Sequence, residues 1–194
     1  MRRTSIVYHI SKFLCLVFFK IGWRFQIKGT HHIPQKGPAI VASNHRSYAD
    51  PPLVGIAIPR VVHILAKKEL FHFKPFGWFI SRLNAHPINR SSGIGALRVA
   101  QDILEEGGVV ILFPEGRRSK TDVLQKPKHG VGMLALKTKV PVIPAYIHNS
   151  GHLFQFKRVS VTYGPPIDPH KFHSYESLTV EVMSRIQKMK NQIG

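Results

Sequence analysis

From Pro38 onward, short apolar β-rich runs alternate with stretches of helical periodicity. No other feature constrains the fold as tightly, because strands separated by helical crossovers pair in parallel within one sheet. Ala39–Ala42 reads as a buried strand, followed by a turn and a short helix over Pro51–Ile58 that Pro59 ends. A second strand is expected over Val61–Ala66. Lys67–Phe73 and Phe76–Leu83 read as short helices around Pro75, and Ala85–Asn89 as a strand weakened by Pro87. Ser92–Glu106 is the clearest helix: Ile94, Leu97, Ala100, Ile103 and Leu104 keep the helical period, Ser91 or Ser92 can cap its start, and Gly107 and Gly108 stop it. Val109–Phe113 is the strongest strand. After a polar loop from Glu115 to His129 come a helix near Val131–Lys137 and strands around Val142–Ile147 and Val159–Tyr163. The terminal helix carries Leu178, Val182, Ile186 and Met189 on one face.

With 194 residues the chain has the length of one domain able to bury a core without disulfides or metal staples. Hydrophobic residues make up 43%, and the 15 Gly and 14 Pro are dispersed, which argues against a disordered or fibrous protein. The single cysteine, Cys15, excludes an internal disulfide framework and a cysteine-based zinc cluster. No repeat or linker marks a boundary. The expected fold is therefore a single α/β domain with a mostly parallel central sheet flanked by helices, preceded by an N-terminal amphipathic helix within residues 1–24.

In that first segment Val7, Ile10, Leu14, Val17 and Ile21 form one helical stripe, widened by Phe13, Leu16, Phe18 and Phe19. Lys12 and Lys20 leave only Phe13–Phe19 as an uninterrupted apolar run, short of the roughly 20 residues a simple span needs. A cleaved signal is disfavoured as well, since Lys12 breaks the apolar region early and no small-residue cleavage site follows. The pattern fits two arrangements equally: a helix packed on the domain body, or a basic helix lying in the lipid headgroup layer with aromatics inserted.

The charge balance is lopsided, with 28 Lys+Arg against 10 Asp+Glu and a net charge of +18. Such a field attracts phosphates, nucleic acid or an anionic membrane surface without choosing among them. In open α/β sheets reactive groups gather at the carboxyl ends of the strands. Here those ends run into Asn44-His45-Arg46-Ser47-Tyr48-Ala49-Asp50, Lys67-Lys68, Arg90, and Pro114-Glu115-Gly116-Arg117-Arg118-Ser119. A histidine with a carboxylate in reach is a general-base pair, the acid fixing the tautomer and stabilising the imidazolium. His45 and Asp50, five apart, can meet only if the strand-to-helix turn curls back, which Asp50 as a helix cap before Pro51 and Pro52 makes feasible. In a chain with 12 histidines the spacing alone is a weak motif, and Asp50 as a mere cap or Glu115 as an arginine partner are the plainer alternatives.

Taken together, Asn44-His45 with Asp50-Pro51, Lys68-Glu69-Leu70, Gly77 leading to Arg90, Phe113-Pro114-Glu115-Gly116 with Arg118-Ser119, and Val140-Pro141-Val142-Ile143-Pro144 resemble the ordered blocks of the glycerophospholipid acyltransferases of the lysophosphatidate acyltransferase type. The resemblance covers about residues 27 to 165, and the joint order of blocks is far more specific than any single one. It implies an acyltransferase domain over 25–194 that moves a fatty acyl group from an acyl thioester to a glycerol hydroxyl, turning 1-acylglycerol 3-phosphate into phosphatidate. It further implies His45 as base, Asp50 as its orienting partner, Glu115 and Gly116 positioning the glycerol backbone, and Arg118, Arg90 and Lys68 holding the phosphate. Arg117 departs from the small hydroxyl residue of many relatives, and the N-terminal segment is short for the family.

The chemistry is coherent in itself. A thioester carbonyl is already reactive, so a base acting on the acceptor hydroxyl suffices, and no Gly-x-Ser-x-Gly elbow is present. The expected co-substrate is the thioester of coenzyme A or acyl carrier protein, with no other cofactor and no metal. The expected partners are an anionic lipid surface, a lysophospholipid acceptor and the acyl carrier, and the expected place is the cytoplasmic face of a membrane, peripheral or monotopic. Another lysophospholipid or glycerol 3-phosphate is the alternative acceptor. Gly130-x-Gly132-x-x-Ala135 lacks the preceding buried strand of a dinucleotide site and reads as a helix start. His148 with His152, and His170 with His173, lack the context of a metal motif. A basic nucleic-acid-binding protein is the rival class, resting on charge alone.

Overall fold

The computed structural model describes residues 6–89 and 93–193. Seven strands form one sheet: β1 (Gln26–Lys28), β2 (Ala39–Ser43), β3 (His63–Lys67), β4 (Ala85–Ile88), β5 (Val109–Leu112), β6 (Val142–His148) and β7 (Ser160–Tyr163), in the spatial order β1-β7-β6-β2-β5-β3-β4. The α-helices are α1 (Ile6–Trp23), α2 (Asp50–Ala57), α3 (Lys74–Arg82), α4 (Gly93–Glu105), α5 (Gly130–Thr138) and α6 (Tyr175–Asn191). The single α/β domain with a mostly parallel sheet is as the alternation implies.

β6, β2, β5, β3 and β4 run parallel, so their carboxyl ends share one edge. β7 is antiparallel to β6, and β1 pairs in parallel with β7. The reversal follows from the connection: between β6 and β7 the chain makes only a 3-10 turn over Ser150–Gln155, too little for the crossover that parallel pairing needs. The central strands are buried on both faces, which is why they read as continuous apolar runs. In β2, Ala39 and Val41 join one core with Leu53, Val54, Ile111 and Ile143 beneath α1 and α2, while Ile40 and Ala42 join a second with Ala100, Leu134, Leu178 and Val182 beneath α4, α5 and α6.

Several predicted bounds shift slightly. The stretch predicted helical over Lys67–Phe73 is a 3-10 turn over Lys68–Phe71, and β3 starts at His63 rather than Val61. The capping serines Ser91 and Ser92 lie outside the described residues.

Helix α1 docks through one face, burying Tyr8 and Phe19. The Tyr8 hydroxyl accepts the Val62 N–H at 3.1 Å, and Lys12 Nζ donates to the carbonyls of Ile58 and Arg60, just past the C-terminal end of α2. Lys12 is thus turned onto the body, where cations suit the helix's partial negative end. The outer face then runs apolar through Ile6, Ile10, Phe13, Leu14, Val17, Phe18 and Ile21. By length and composition alone α1 is long and apolar enough to cross a membrane.

Candidate active site

β2 delivers Asn44 and His45 at its carboxyl end, and the chain curls through residues 46–49 into α2. Asn44 fixes the start of that curl: its Nδ2 donates to the Ile147 carbonyl at 3.0 Å and its Oδ1 accepts the Ile147 N–H at 2.8 Å, replacing ladder bonds where β2 parts from β6. Asp50 lies fully buried at the first position of α2. Instead of capping that helix, its Oδ2 faces back and gathers three donors: His45 Nδ1 at 2.8 Å, the Arg46 N–H and the Ser47 N–H at 2.7 Å. The curl therefore exists because one carboxylate oxygen satisfies the turn's own amides, and the same oxygen sets the imidazole. With Nδ1 occupied by the carboxylate, Nε2 is the nitrogen left for proton transfer.

Glu115 follows β5 and is 3% exposed. Its Oε1 accepts the His45 N–H at 2.9 Å and its Oε2 accepts the Gln125 N–H at 2.9 Å, so both oxygens are committed to backbone amides. No arginine pairs with Glu115 among the described residues; it braces the His45 turn against the loop after β5. The Ser119 N–H donates to the His45 carbonyl at 2.7 Å, closing the brace from the other side. Gly116 turns the chain at φ +69°, and a Cβ there would come within 2.8 Å of Lys128 Cδ. The positive φ is what favours glycine here, since the Lys128 side chain can move aside.

The His45 ring lies parallel to Phe113, centroids 4.1 Å apart, and borders a cavity of about 560 Å³. That cavity runs between α1, α2, β3 and α3, and its wall is mostly apolar, including Ile56, Ile64, Leu65, Phe79 and Ile80. Arg118 is at its rim with its guanidinium carbon 3.5 Å from the Tyr48 ring centroid. A cation on the same cavity as the imidazole suits an anionic substrate group.

The remaining cations are placed differently. Lys68 is exposed on the 68–71 turn; its neighbour Lys67, at the same strand end, lines the cavity and pairs with Glu69 at 3.5 Å. Arg90 lies outside the described residues. On the opposite side of the turn, Arg46 Nη2 meets Asp122 Oδ1 at 3.0 Å. Near it burial lowers the His148 imidazole below its ordinary value, and the Asp122 carboxylate offsets part of that. Phe113 and Tyr48 stand in the strand-end blocks without a role of their own; the structure gives them one, Phe113 stacked on the histidine and Tyr48 under Arg118.

Residues 24–148, well over half of the chain, match the family model described as Acyltransferase. The chain belongs to the acyltransferase family. This acyltransferase is 28% identical over 179 residues to the 1-acyl-sn-glycerol-3-phosphate acyltransferase of Bacillus subtilis (strain 168), covering 87% of this chain and 89% of that one. Against the protein of the same name from Streptococcus pneumoniae it is 29% identical, over 92% of this chain and 69% of the other. It spans less than half of a chloroplastic relative from Arabidopsis thaliana, 43% of that protein's length. Among solved structures it resembles the 1-acyl-sn-glycerophosphate acyltransferase PlsC from Thermotoga maritima, with a TM-score of 0.78, 27% identity, and coverage of 100% of this chain and 83% of that one.

Proposed function

We propose that this acyltransferase moves a fatty acyl group from an acyl thioester to the free hydroxyl of 1-acylglycerol 3-phosphate, giving phosphatidate. The observation that carries the reading is the Asp50-tied imidazole of His45 at the wall of a largely apolar cavity of about 560 Å³. The acyl chain of the donor lies in that cavity, which places the thioester carbonyl at its His45 end. His45 Nε2 takes the proton of the acceptor hydroxyl as its oxygen attacks the carbonyl carbon. Asp50 stabilises the imidazolium so formed. Collapse of the tetrahedral intermediate breaks the carbon–sulfur bond, and the imidazolium returns its proton to the departing thiolate. The new ester keeps the acyl group and His45 ends neutral, so no group beyond the thioester co-substrate, on coenzyme A or acyl carrier protein, is needed.

The acceptor assignment draws on the relatives' names and on Arg118 at the rim, with Arg90 and Lys68 as the further phosphate-binding cations. Glu115 and Gly116 then shape the acceptor site through the backbone they hold. Helix α1, within the segment 1–24, serves as the membrane-associating element, the protein working as a peripheral or monotopic enzyme on the cytoplasmic face, where its +18 charge favours anionic lipid. The test is turnover of purified protein in detergent micelles with lysophosphatidate, other lysophospholipids and glycerol 3-phosphate, each with acyl-CoA and acyl carrier donors. Lysophosphatidate is expected to be preferred, and His45→Ala to abolish turnover while the circular dichroism spectrum is kept. Full activity in that variant, or preference for an acceptor without a phosphate, overturns the proposal.

A further inference from the structure

The turn that links β6 to β7 has no role in the chemistry above, yet it carries the most exposed aromatic side chain of the described residues. Phe154 is 100% exposed and Phe156 is 62% exposed. Phe156 also sits at φ +49° and Asn149, at the other end of the turn, at φ +60°. A bulky side chain in the left-handed region is uncommon and persists only where its surroundings hold it.

What holds it is α1. The Trp23 ring stacks on Phe156 with centroids 5.3 Å apart and planes 17° from parallel, and Trp23 Nε1 donates to the Leu153 carbonyl at 2.7 Å. Phe18 lies against Trp23 in turn, at 5.2 Å. The apolar outer face of α1 is thereby continued by Phe156 and Phe154, with the exposed Gln155 between them. On its inner side the same turn meets the catalytic curl: Gly151 lies against the Arg46 guanidinium, and His152 Nε2 is 3.5 Å from Asp122 Oδ2, the carboxylate that Arg46 also pairs.

Helix α1 and the turn carry no acidic residue of their own, and the carboxylate beside them, Asp122, is held by Arg46 and His152 on the turn's inner side. Lys20, Arg24, Lys157 and Arg158 flank the aromatics and are exposed. The first acidic residue of the chain is Asp50, and residues 149–158 contain none. Aromatics ringed by cations match a bilayer interface, where rings sit at headgroup depth and Lys or Arg reach lipid phosphate.

We propose that the Ser150–Phe156 turn is a second membrane anchor, with Phe154 as its inserting tip and Lys157 and Arg158 on anionic headgroups. It rests on the reading that this enzyme works on lipid at a membrane. Because the turn also touches Arg46, insertion at this point fixes the tilt of the catalytic curl over the lipid surface, which α1 alone, a single axis, does not.

The full-length protein is tested with vesicles of phosphatidylcholine and phosphatidylglycerol. Phe154→Trp is expected to add an emission band that shifts blue on binding and is quenched by brominated lipid. Phe154→Ser is expected to weaken vesicle sedimentation about tenfold, the scale of one aromatic side chain withdrawn from an apolar phase. Its turnover in detergent micelles is expected to stay within about twofold of the parent, as for other surface changes. The anchor is overturned if the added tryptophan stays unquenched while the protein sediments, or if Phe154→Ser binds vesicles as the parent does. It is also overturned if light scattering without lipid shows that the substitution instead dissolves a dimer, or if only turnover with the acyl carrier donor suffers. Vesicle binding is read without substrate, so absence of lysophosphatidate acylation by the parent protein sinks the functional reading and leaves this measurement standing.

Discussion

Asp50 acts through a single oxygen that holds both the shape of the turn over residues 45–50 and the orientation of the His45 ring. Asp50→Asn keeps an acceptor for the turn amides but removes the negative charge that stabilises the imidazolium. The expected outcome is a fall in kcat of roughly a hundredfold to ten-thousandfold with a nearly unchanged KM for the acyl donor, read from steady-state kinetics. Glu115 is the contrasting carboxylate. Glu115→Gln must point an amide N–H2 at one of two backbone donors, His45 N–H or Gln125 N–H, and orphan it. A loss of about 1–3 kcal/mol in denaturant unfolding is expected, along with reduced turnover as His45 loosens. The first pairing was legible in the sequence because both partners sit in one turn. The second was not, because a backbone amide 70 residues away leaves no mark in the residue types.

The element scale shows the same division between local and distant causes. The Gly130-x-Gly132 stretch reads as a helix start, and α5 does begin at Gly130. What Gly132 is for emerges only from packing: a Cβ there would lie 2.2 Å from the Tyr175 carbonyl oxygen and 2.4 Å from Thr179 Oγ1, on α6. Since one of these is backbone, the contact cannot be relieved by a rotamer change. Gly132→Ala is expected to destabilise by more than about 2 kcal/mol, against the small gain alanine brings to an open helix site, measured by thermal unfolding. The buried strands were legible because burial on both faces leaves continuous apolar runs. β1 was not, being three residues long with Gln26 and Lys28 exposed, and the direction of β7 is set by the brevity of its connection rather than by its own residues. Of the two lysines that interrupt the apolar run of α1, Lys12 is folded inward onto the end of α2, while Lys20 stays exposed.

At the scale of the whole molecule, the +18 charge already opposes compaction, and acidification adds to it through 12 histidines. One of them contributes a specific term. His63 Nδ1 lies 2.9 Å from His86 Nε2, so the two rings share one proton across adjacent strands β3 and β4. Burial, then the neighbouring His86 charge, lowers His63 to about 4, with Glu106 pulling the other way. A base whose folded value lies below its unfolded one binds more protons in the unfolded chain, so the folded state loses stability as pH drops from about 6.5 toward 4, and the loss levels off below that. Calorimetry across this window should show Tm falling with acid, and His63→Gln, which keeps a partner for His86 but cannot take up a proton, should fall less steeply. Coincident slopes for the two proteins would mean that His63 titrates as a solvent-exposed imidazole and that the general build-up of positive charge accounts for the acid sensitivity.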